Sequence, residues 1–275
     1  MYSASDKTAA VICDNWQRVS AEVVQACHAA GREPDQVQVV GVTKYVGPEL
    51  AWQLYHAGCH ILAENRPQSL WEKADYFAQQ MPEVQDDSTS ALSAAGKVVQ
   101  DTASRSQDGS LKPHVKRPVQ WHLIGHLQRN KLKRTLPMID LLHSLDSLRL
   151  TEAINAEAAS RALQCRVLLE VNVTQDSSKT GMSTEQARSV LELANELSGI
   201  EFCGLMAMSS LDANADLARR EFELVRELRD QLQHEFAGQA TLTELSMGMS
   251  GDFREAIAAG ATLVRIGSSL WQGIL

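Results

Sequence analysis

The stretch TLTELSMGMSGDFREAIAAGATLVRIGSS, residues 241–269, contains one full period of the alternating pattern from which the fold is predicted. An apolar run, Thr241–Leu245, is followed by a glycine turn, a helical segment over Gly251–Ala259 and a second apolar run, Thr262–Ile266. Short β-rich runs that alternate with segments of helical periodicity are typical of parallel strands joined by helices. The stretch therefore predicts one unit of an α/β protein.

The same alternation continues through the chain. An amphipathic opening helix is predicted over Thr8–Ala30, and helical segments lie between nearly all of the apolar runs that follow. Eight strands, each followed by a helix, predict a single α/β domain folded as a (β/α)8 TIM barrel, and the length of 275 residues suits one. The predicted strands are Val37–Thr43, Cys59–Ala63, Val119–Ile124, Ile139–Ser144, Cys165–Val173, Ile200–Met206, Thr241–Leu245 and Thr262–Ile266.

A doubly wound open sheet is the structural alternative. Such a sheet normally binds phosphate after its first strand through a G-x-G-x-x-G turn. The turn after the first predicted strand is Lys44–Pro48, which lacks that motif. The barrel is therefore the favoured architecture.

The composition excludes several classes of partner. A net charge of -8 and a pI near 5.5 argue against non-specific binding to nucleic acid or to an anionic membrane, because both require a basic face. Five scattered cysteines without a C-x-x-C pair indicate neither a disulfide framework nor a zinc ribbon. No signal-peptide pattern and no run of about 18 apolar residues occurs. We expect a cytoplasmic monomer.

One segment, Pro82–Pro118, interrupts the alternation. It has no aromatic residue and is rich in Ser, Asp, Gln and Ala. Such a composition buries too little apolar surface to offset the entropy lost on ordering. We expect a mobile insertion within a domain that spans residues 1–275.

The candidate chemistry lies at the C-terminal ends of three predicted strands. Phosphate commonly binds TIM barrels at the loops after strands seven and eight, here the glycine turns Ser246–Ser250 and Gly267–Ser269. Backbone N–H groups in such turns point at an anion. Lys44 ends strand one, which barrel closure places beside strand eight. A partly desolvated lysine has a lowered pKa and is a competent partner for an aldehyde. An amine beside a phosphate cradle predicts pyridoxal phosphate.

Ordinary structural roles are the alternatives for the same residues. A lysine at a strand end is usually a solvated surface charge. Arg265 could reach the ligand between amine and phosphate, or could pair with Glu170 or Glu244 on a neighbouring strand. Ser246 could cap the helix that begins near Gly251. Their joint position at one rim of the barrel is what favours a binding site.

Two further features flank the predicted mouth. Asn65 follows strand two and would face the mouth beside Lys44 as a hydrogen-bond donor to a ring oxygen. His122 and His126 have a spacing that suits a metal, but no third ligand accompanies them. We therefore expect these two histidines to be structural and predict no metal site.

Eight sequence blocks are spread through nearly the whole chain and form one recognisable set. They are Val42–Lys44, Glu64–Gln68, Trp121–Lys131, Asp140–Asp146, Asn172–Gly181, Gly204–Met208, Leu245–Ser250 and Val264–Gly267. A chance match to so many blocks in the same order is far rarer than a match to one. Through these blocks the chain resembles the pyridoxal phosphate homeostasis protein family.

The resemblance implies the fold of the alanine racemase N-terminal barrel and a set of site residues. Pyridoxal phosphate would form a Schiff base, an aldimine, with Lys44. Arg265 would contact the pyridine nitrogen, where a fixed cation disfavours the pyridinium form and makes the ring a poorer electron sink. The phosphate contacts implied are Ser246, Gly267 and Ser268, with Asn65 as a further cofactor contact.

The resemblance also implies a function, intracellular pyridoxal phosphate homeostasis without catalytic turnover, with pyridoxal phosphate-dependent apoenzymes as candidate partners. The main alternative is an amino-acid racemase. Related racemases add a β-rich domain that supplies a tyrosine base, and no residues remain here to build one, so a two-base mechanism lacks its second base. A sugar-phosphate isomerase or aldolase would use the same turns but requires a carboxylate at the mouth.

Overall fold

The computed structural model describes residues 4–81, 118–174 and 180–275. Of the predicted insertion Pro82–Pro118, all but Pro118 lies outside the described residues, so its mobility remains a prediction.

Eight parallel strands close into a barrel in the order of the sequence, each paired with the next and β8 with β1. The (β/α)8 prediction is confirmed, and every predicted strand overlaps one of the eight. Parallel strands direct their C-terminal ends to one rim, where barrels carry their sites. The strands are β1 Gln38–Val42, β2 Ile61–Glu64, β3 Gln120–Leu123, β4 Leu141–Leu145, β5 Cys165–Glu170, β6 Ile200–Met206, β7 Glu244–Ser246 and β8 Leu263–Ile266.

Eight α-helices surround the barrel in the described part of the chain, with one difference from the expected order. No α-helix follows β8, which leads instead into a 3-10 turn, Ser268–Leu270. The opening helix α1 fills that position in the ring and packs against α2, α8 and the turn. The helices are α1 Ala4–Ala29, α2 Pro48–His56, α3 Pro67–Gln80, α4 Leu132–Thr135, α5 Leu148–Ala159, α6 Thr184–Glu192, α7 Ala215–Glu235 and α8 Phe253–Ala259.

Side-chain hydrogen bonds join α1 to the last residues of the chain. The Asn15 side-chain amide donates to the carbonyl oxygens of Leu270 and Gln272, at 3.1 and 2.9 Å. Arg18 donates to the carbonyl oxygen of Ser269 at 2.8 Å. These bonds close the helical ring and hold the 3-10 turn against α1.

Local sequence signals set the ends of several helices. Ser183 and Gln186 form a reciprocal capping box at the start of α6, and the Asn214 side chain accepts the Leu217 N–H at the start of α7. Each such cap satisfies an N–H that the first turn leaves unpaired. Gly260 ends α8 at φ +109°, a conformation that favours glycine, and so turns the chain into β8.

Two apolar layers form the core. The larger lies between the strands and the helices. The smaller fills the barrel, because alternate side chains of each strand point inward. Its members are Val40, Val42, Ile61, Ala63, Leu141, Leu168, Cys203, Met206 and Leu263. Above this inner layer, toward the C-terminal rim, the inward positions become polar. No helix among the described residues is long and apolar enough to span a membrane.

Candidate functional site

Two adjoining clefts open at the C-terminal rim. A cleft of about 270 Å³ is lined by Lys44, Tyr45, Asn65, Arg66 and Ser69. A second of about 530 Å³ is lined by Tyr45, Ser268, Ser269, Trp271, Gln272 and Leu275. Tyr45 lines both, so the structure brings the predicted residues Lys44, Asn65 and Ser268 to two neighbouring clefts on either side of that ring.

Barrel closure explains why these residues meet. Gly41 of β1 lies opposite Ile266 of β8, so the loops after the two strands run side by side. A Cβ placed on Gly267 would lie only 3.5 Å from the Cβ of Val42. The Trp271 indole donates to the Val42 carbonyl at 2.9 Å and ties the turn after β8 to the end of β1.

Lys44 is exposed at the rim, and its Nζ lies 4.8 Å from the centroid of the Tyr45 ring. The expected partial desolvation of this lysine is therefore absent from this conformation. An exposed amine over an aromatic face retains its freedom to turn toward a ligand in either cleft.

Directly behind Lys44 and Asn65 lies a buried ion pair. Lys73 of α3 and Glu64 of β2 approach to 2.5 Å, with side chains 4% and 0% exposed. The Lys73 ammonium also donates to the Thr43 carbonyl at 3.2 Å, and the Thr43 hydroxyl donates to Glu64 at 2.6 Å. Thr43 precedes Lys44 and Glu64 precedes Asn65. One buried cluster thus holds the backbone from which both site residues extend.

The phosphate turns contain a convergent pair of donors. The backbone N–H groups of Gly267 and Ser269 both point at the Ser250 Oγ, at 3.2 and 3.4 Å. Two N–H groups aimed at one oxygen are the arrangement that binds a phosphate oxygen. Gly248, in the turn before, has φ +82°, and a Cβ there would lie 2.5 Å from the Cβ of Ala256. Glycine is required at that position because any side chain would clash.

Ser246 occupies a different environment from the predicted one. It is the last residue of β7, is fully buried and points into the barrel. Its Oγ lies 2.7 Å from Arg265 Nη1 and 2.8 Å from His143 Nδ1. In this conformation the hydroxyl is engaged by two side chains of the barrel interior, and a phosphate contact by Ser246 stays a prediction. Among the serines of these turns, Ser250 is the one at the convergent N–H groups, and it was not among the predicted phosphate contacts.

Arg265 is a buried cation without a counterion. Its Nη1 donates to the Ser246 carbonyl as well as to the hydroxyl, and its Nη2 donates to the Ala207 carbonyl at 3.0 Å. No carboxylate lies within 4.0 Å of the guanidinium in the part of the chain that the structure describes. Burial lowers the pKa of Arg265 to about 10, although the more distant Asp252 and Glu170 act in the opposite direction.

The alternative ion pairs for Arg265 do not form. Glu170 accepts the Thr180 hydroxyl at 2.5 Å, and burial raises the pKa of its carboxyl. Glu244 accepts the Thr262 hydroxyl at 2.6 Å. The guanidinium therefore remains available to an electron-rich atom of a ligand.

His122 and His126, the two histidines that flank Gly125, have different surroundings. His122 lies inside the barrel, where its Nδ1 is 2.9 Å from His143 Nε2. His126 is exposed and its Nδ1 is 2.9 Å from Asp146. Among the described residues no group of three potential ligands could hold a metal ion.

The rim therefore offers three complementary groups to one ligand: an exposed amine, a serine hydroxyl held by two convergent backbone donors, and a buried guanidinium without a carboxylate partner. These groups suit an aldehyde, an anion and a ring nitrogen acceptor respectively. Pyridoxal phosphate carries all three, so the residues present fit it.

Comparisons with known proteins agree with this chemistry. The alanine racemase N-terminal domain family matches residues 59–273. A pyridoxal phosphate homeostasis protein from Aquifex aeolicus (strain VF5) is 32% identical over 259 residues, covering 94% of this chain and 96% of that protein. One from Homo sapiens is 28% identical, covering 92% of this chain and 83% of that protein.

Solved structures give the same relationship. PipY of Synechococcus elongatus PCC7942, with pyridoxal phosphate bound, is 26% identical with a TM-score of 0.69, covering 90% of this chain and 99% of that chain. An alanine racemase of Clostridium difficile 630 is 15% identical with a TM-score of 0.59, covering 94% of this chain and 56% of that chain, and shares the fold. The chain belongs to the pyridoxal phosphate homeostasis protein family.

Proposed function

We propose that this protein binds pyridoxal 5′-phosphate at the C-terminal rim, holds it covalently through the Lys44 amine and serves cellular pyridoxal phosphate homeostasis without catalysing turnover. The observation that carries the proposal is Arg265, a buried cation that forms no ion pair with a carboxylate among the described residues. A buried charge without a partner is costly, and an electron-rich ring nitrogen would supply one.

In this proposal each group has a separate task. Lys44 would hold the aldehyde carbon, whose oxygen leaves as water. The Gly267 and Ser269 N–H groups would hold the phosphate, and Asn65 would donate to the ring hydroxyl oxygen. The Ser250 hydroxyl accepts both N–H groups in the unliganded protein; it would release them to a phosphate oxygen and donate its own proton to that phosphate. Ser268 lines the adjoining cleft and adds a further hydroxyl on the phosphate side.

Bound pyridoxal phosphate can act as an electron sink for carbanions. Two features of the chain oppose that use. The Arg265 cation disfavours protonation of the ring nitrogen, which weakens the sink. Racemisation also requires a base on each face of the substrate carbon.

The tyrosines near the site do not supply that second base. Tyr55 is buried against Trp52 and Phe77, and burial raises the pKa of its hydroxyl. Tyr45 lies beside the Lys44 amine rather than across the cleft from it. A racemase is therefore the less favoured function. We further propose that the protein is a cytoplasmic monomer and that apoenzymes dependent on the cofactor are its partners.

The test is covalent labelling at a single lysine. The protein is loaded with pyridoxal phosphate, reduced with borohydride and digested with trypsin. Reduction should add one pyridoxyl group to Lys44 and abolish cleavage after it. Lys44→Arg should lose the label and keep weaker non-covalent binding, while the exposed Lys133→Arg serves as the matched control. A label that persists in Lys44→Arg at the wild-type level would refute the proposal.

A further inference from the structure

A continuous chain of hydrogen bonds runs through the barrel beneath the rim. Arg265 Nη1 is 2.7 Å from Ser246 Oγ, Ser246 Oγ is 2.8 Å from His143 Nδ1, and His143 Nε2 is 2.9 Å from His122 Nδ1. The four side chains come from β8, β7, β4 and β3 and are at most 4% exposed. We call this chain the buried relay.

The chemistry of its first member sets the direction of every bond. A guanidinium can only donate, so the Ser246 oxygen accepts from Arg265. The Ser246 hydroxyl hydrogen then has His143 Nδ1 as its acceptor. His143 accordingly carries its hydrogen on Nε2 and donates it to His122 Nδ1. The reverse direction would leave the Ser246 hydrogen buried without an acceptor, which costs free energy.

Both histidines must be neutral for this direction to hold. Burial lowers the pKa of His122 to about 3, with a smaller contribution from Arg166. Burial also lowers the pKa of His143 well below 6.5, with smaller contributions from His122 and Arg265. The charged groups facing the other end of the relay are Asp252 and Glu170, near Arg265. Neutral imidazoles are therefore the forms present near neutral pH.

We propose that His143, oriented by His122, is a positioning residue that fixes the Arg265 guanidinium through Ser246 and thereby sets how the protein contacts the ring nitrogen of its ligand. Ser246 thus serves ring recognition rather than phosphate binding. Without the relay, Arg265 Nη1 keeps one acceptor, the Ser246 carbonyl, and loses the hydroxyl that fixes its plane. This inference rests on the proposed function.

Two ligands separate ring recognition from phosphate recognition. Dissociation constants are measured for pyridoxal, which lacks the phosphate, and for pyridoxal phosphate. Ser246→Ala should weaken the binding of both ligands about tenfold, the factor for one hydrogen bond to a charged group. The dissociation constant of pyridoxal divided by that of pyridoxal phosphate should therefore stay unchanged. Ser250→Ala should weaken only the binding of pyridoxal phosphate, and it should therefore lower this ratio. His143→Leu should weaken the binding of both ligands as much as Ser246→Ala does. His143→Asn retains an acceptor for the Ser246 hydroxyl and should therefore keep most of the wild-type affinity.

A spectroscopic measurement gives a second readout. A loosely held guanidinium opposes protonation of the ring nitrogen less. The pH midpoint of the absorbance change of the bound cofactor should therefore rise in Ser246→Ala and His143→Leu. Leu142→Ala, the buried neighbour on the opposite face of β4, controls for general loosening of the barrel. An equal rise in Leu142→Ala, or a Ser246→Ala variant that lowers the affinity ratio as Ser250→Ala does, would overturn the proposal. If wild type binds neither ligand, the proposed function itself has failed.

Discussion

Replacing Lys73 by methionine should leave the Glu64 carboxylate charged, buried and without its counterion. The two side chains lie 2.5 Å apart and are 4% and 0% exposed, and Glu64 Oε2 already has no hydrogen-bond partner. Removing one member of a buried pair costs roughly 3–5 kcal/mol. Methionine is apolar and close to lysine in length, so little of that cost should come from a cavity. We expect about 4 kcal/mol, which lowers the Tm of a chain of this size by roughly 8–16 °C.

The assay is thermal and urea denaturation followed by circular dichroism. Glu64→Leu/Lys73→Met, which removes both charges, should recover most of the loss, because apolar replacement of a buried pair is close to neutral. The Thr43 hydroxyl retains the Ala63 carbonyl as an acceptor at 3.3 Å in that variant. Arg219→Met breaks an exposed pair with Glu223 on α7 and should cost at most about 1 kcal/mol. A Lys73→Met variant as stable as Arg219→Met would refute the reasoning, and a double variant as unstable as the single one would assign the loss to packing.

Three further outcomes are expected. Because the pKa of His122 falls from 6.5 to about 3 on folding, the unfolded chain binds protons that the folded chain does not, so the free energy of unfolding should fall as pH drops through that window. The Tm should differ less between pH 7 and pH 5 in His122→Asn than in wild type. Replacement of the exposed His28 by asparagine should leave that difference at the wild-type value. Cofactor-loaded protein should exchange deuterium at Cα of L-alanine no faster than free pyridoxal phosphate does, and faster exchange abolished by Lys44→Ala would indicate an enzyme. Deletion of Pro82–Pro118 with a Gly/Ser join should leave the Tm within a few degrees and cofactor binding intact, and a large loss of either would show that the insertion packs on the barrel.

Strand positions followed from the sequence because apolar runs of strand length recur between helical segments. The predicted Ile200–Met206 coincides with β6. The roles of residues at strand ends were harder to predict from the sequence, because they depend on the exact residue at which the strand ends. The seventh strand was predicted to end at Leu245, whereas β7 ends at Ser246. That single residue moves Ser246 from the phosphate turn into the barrel, since strand side chains alternate between faces.

Two other features required knowledge of the tertiary structure. Lys73 occupies the buried face of α3 with Leu70 and Phe77, a helical spacing visible in the sequence, but its partner Glu64 is on another element. The position of α1 in the ring depends on barrel closure, which no local pattern encodes. Arg265 and the glycine turns were identifiable because barrels place phosphate sites after the last two strands.

The bonds between α1 and the turn after β8 have a consequence for synthesis in the cell. Arg18 and Asn15 leave the ribosome long before Ser269, Leu270 and Gln272 exist. The Ser269 N–H that faces Ser250 cannot be positioned until these last residues emerge and dock on the first helix. Under the proposed mode of binding, the anion cradle is therefore complete only once residues 269–272 have docked on α1. Contacts of such high sequence separation form late in folding.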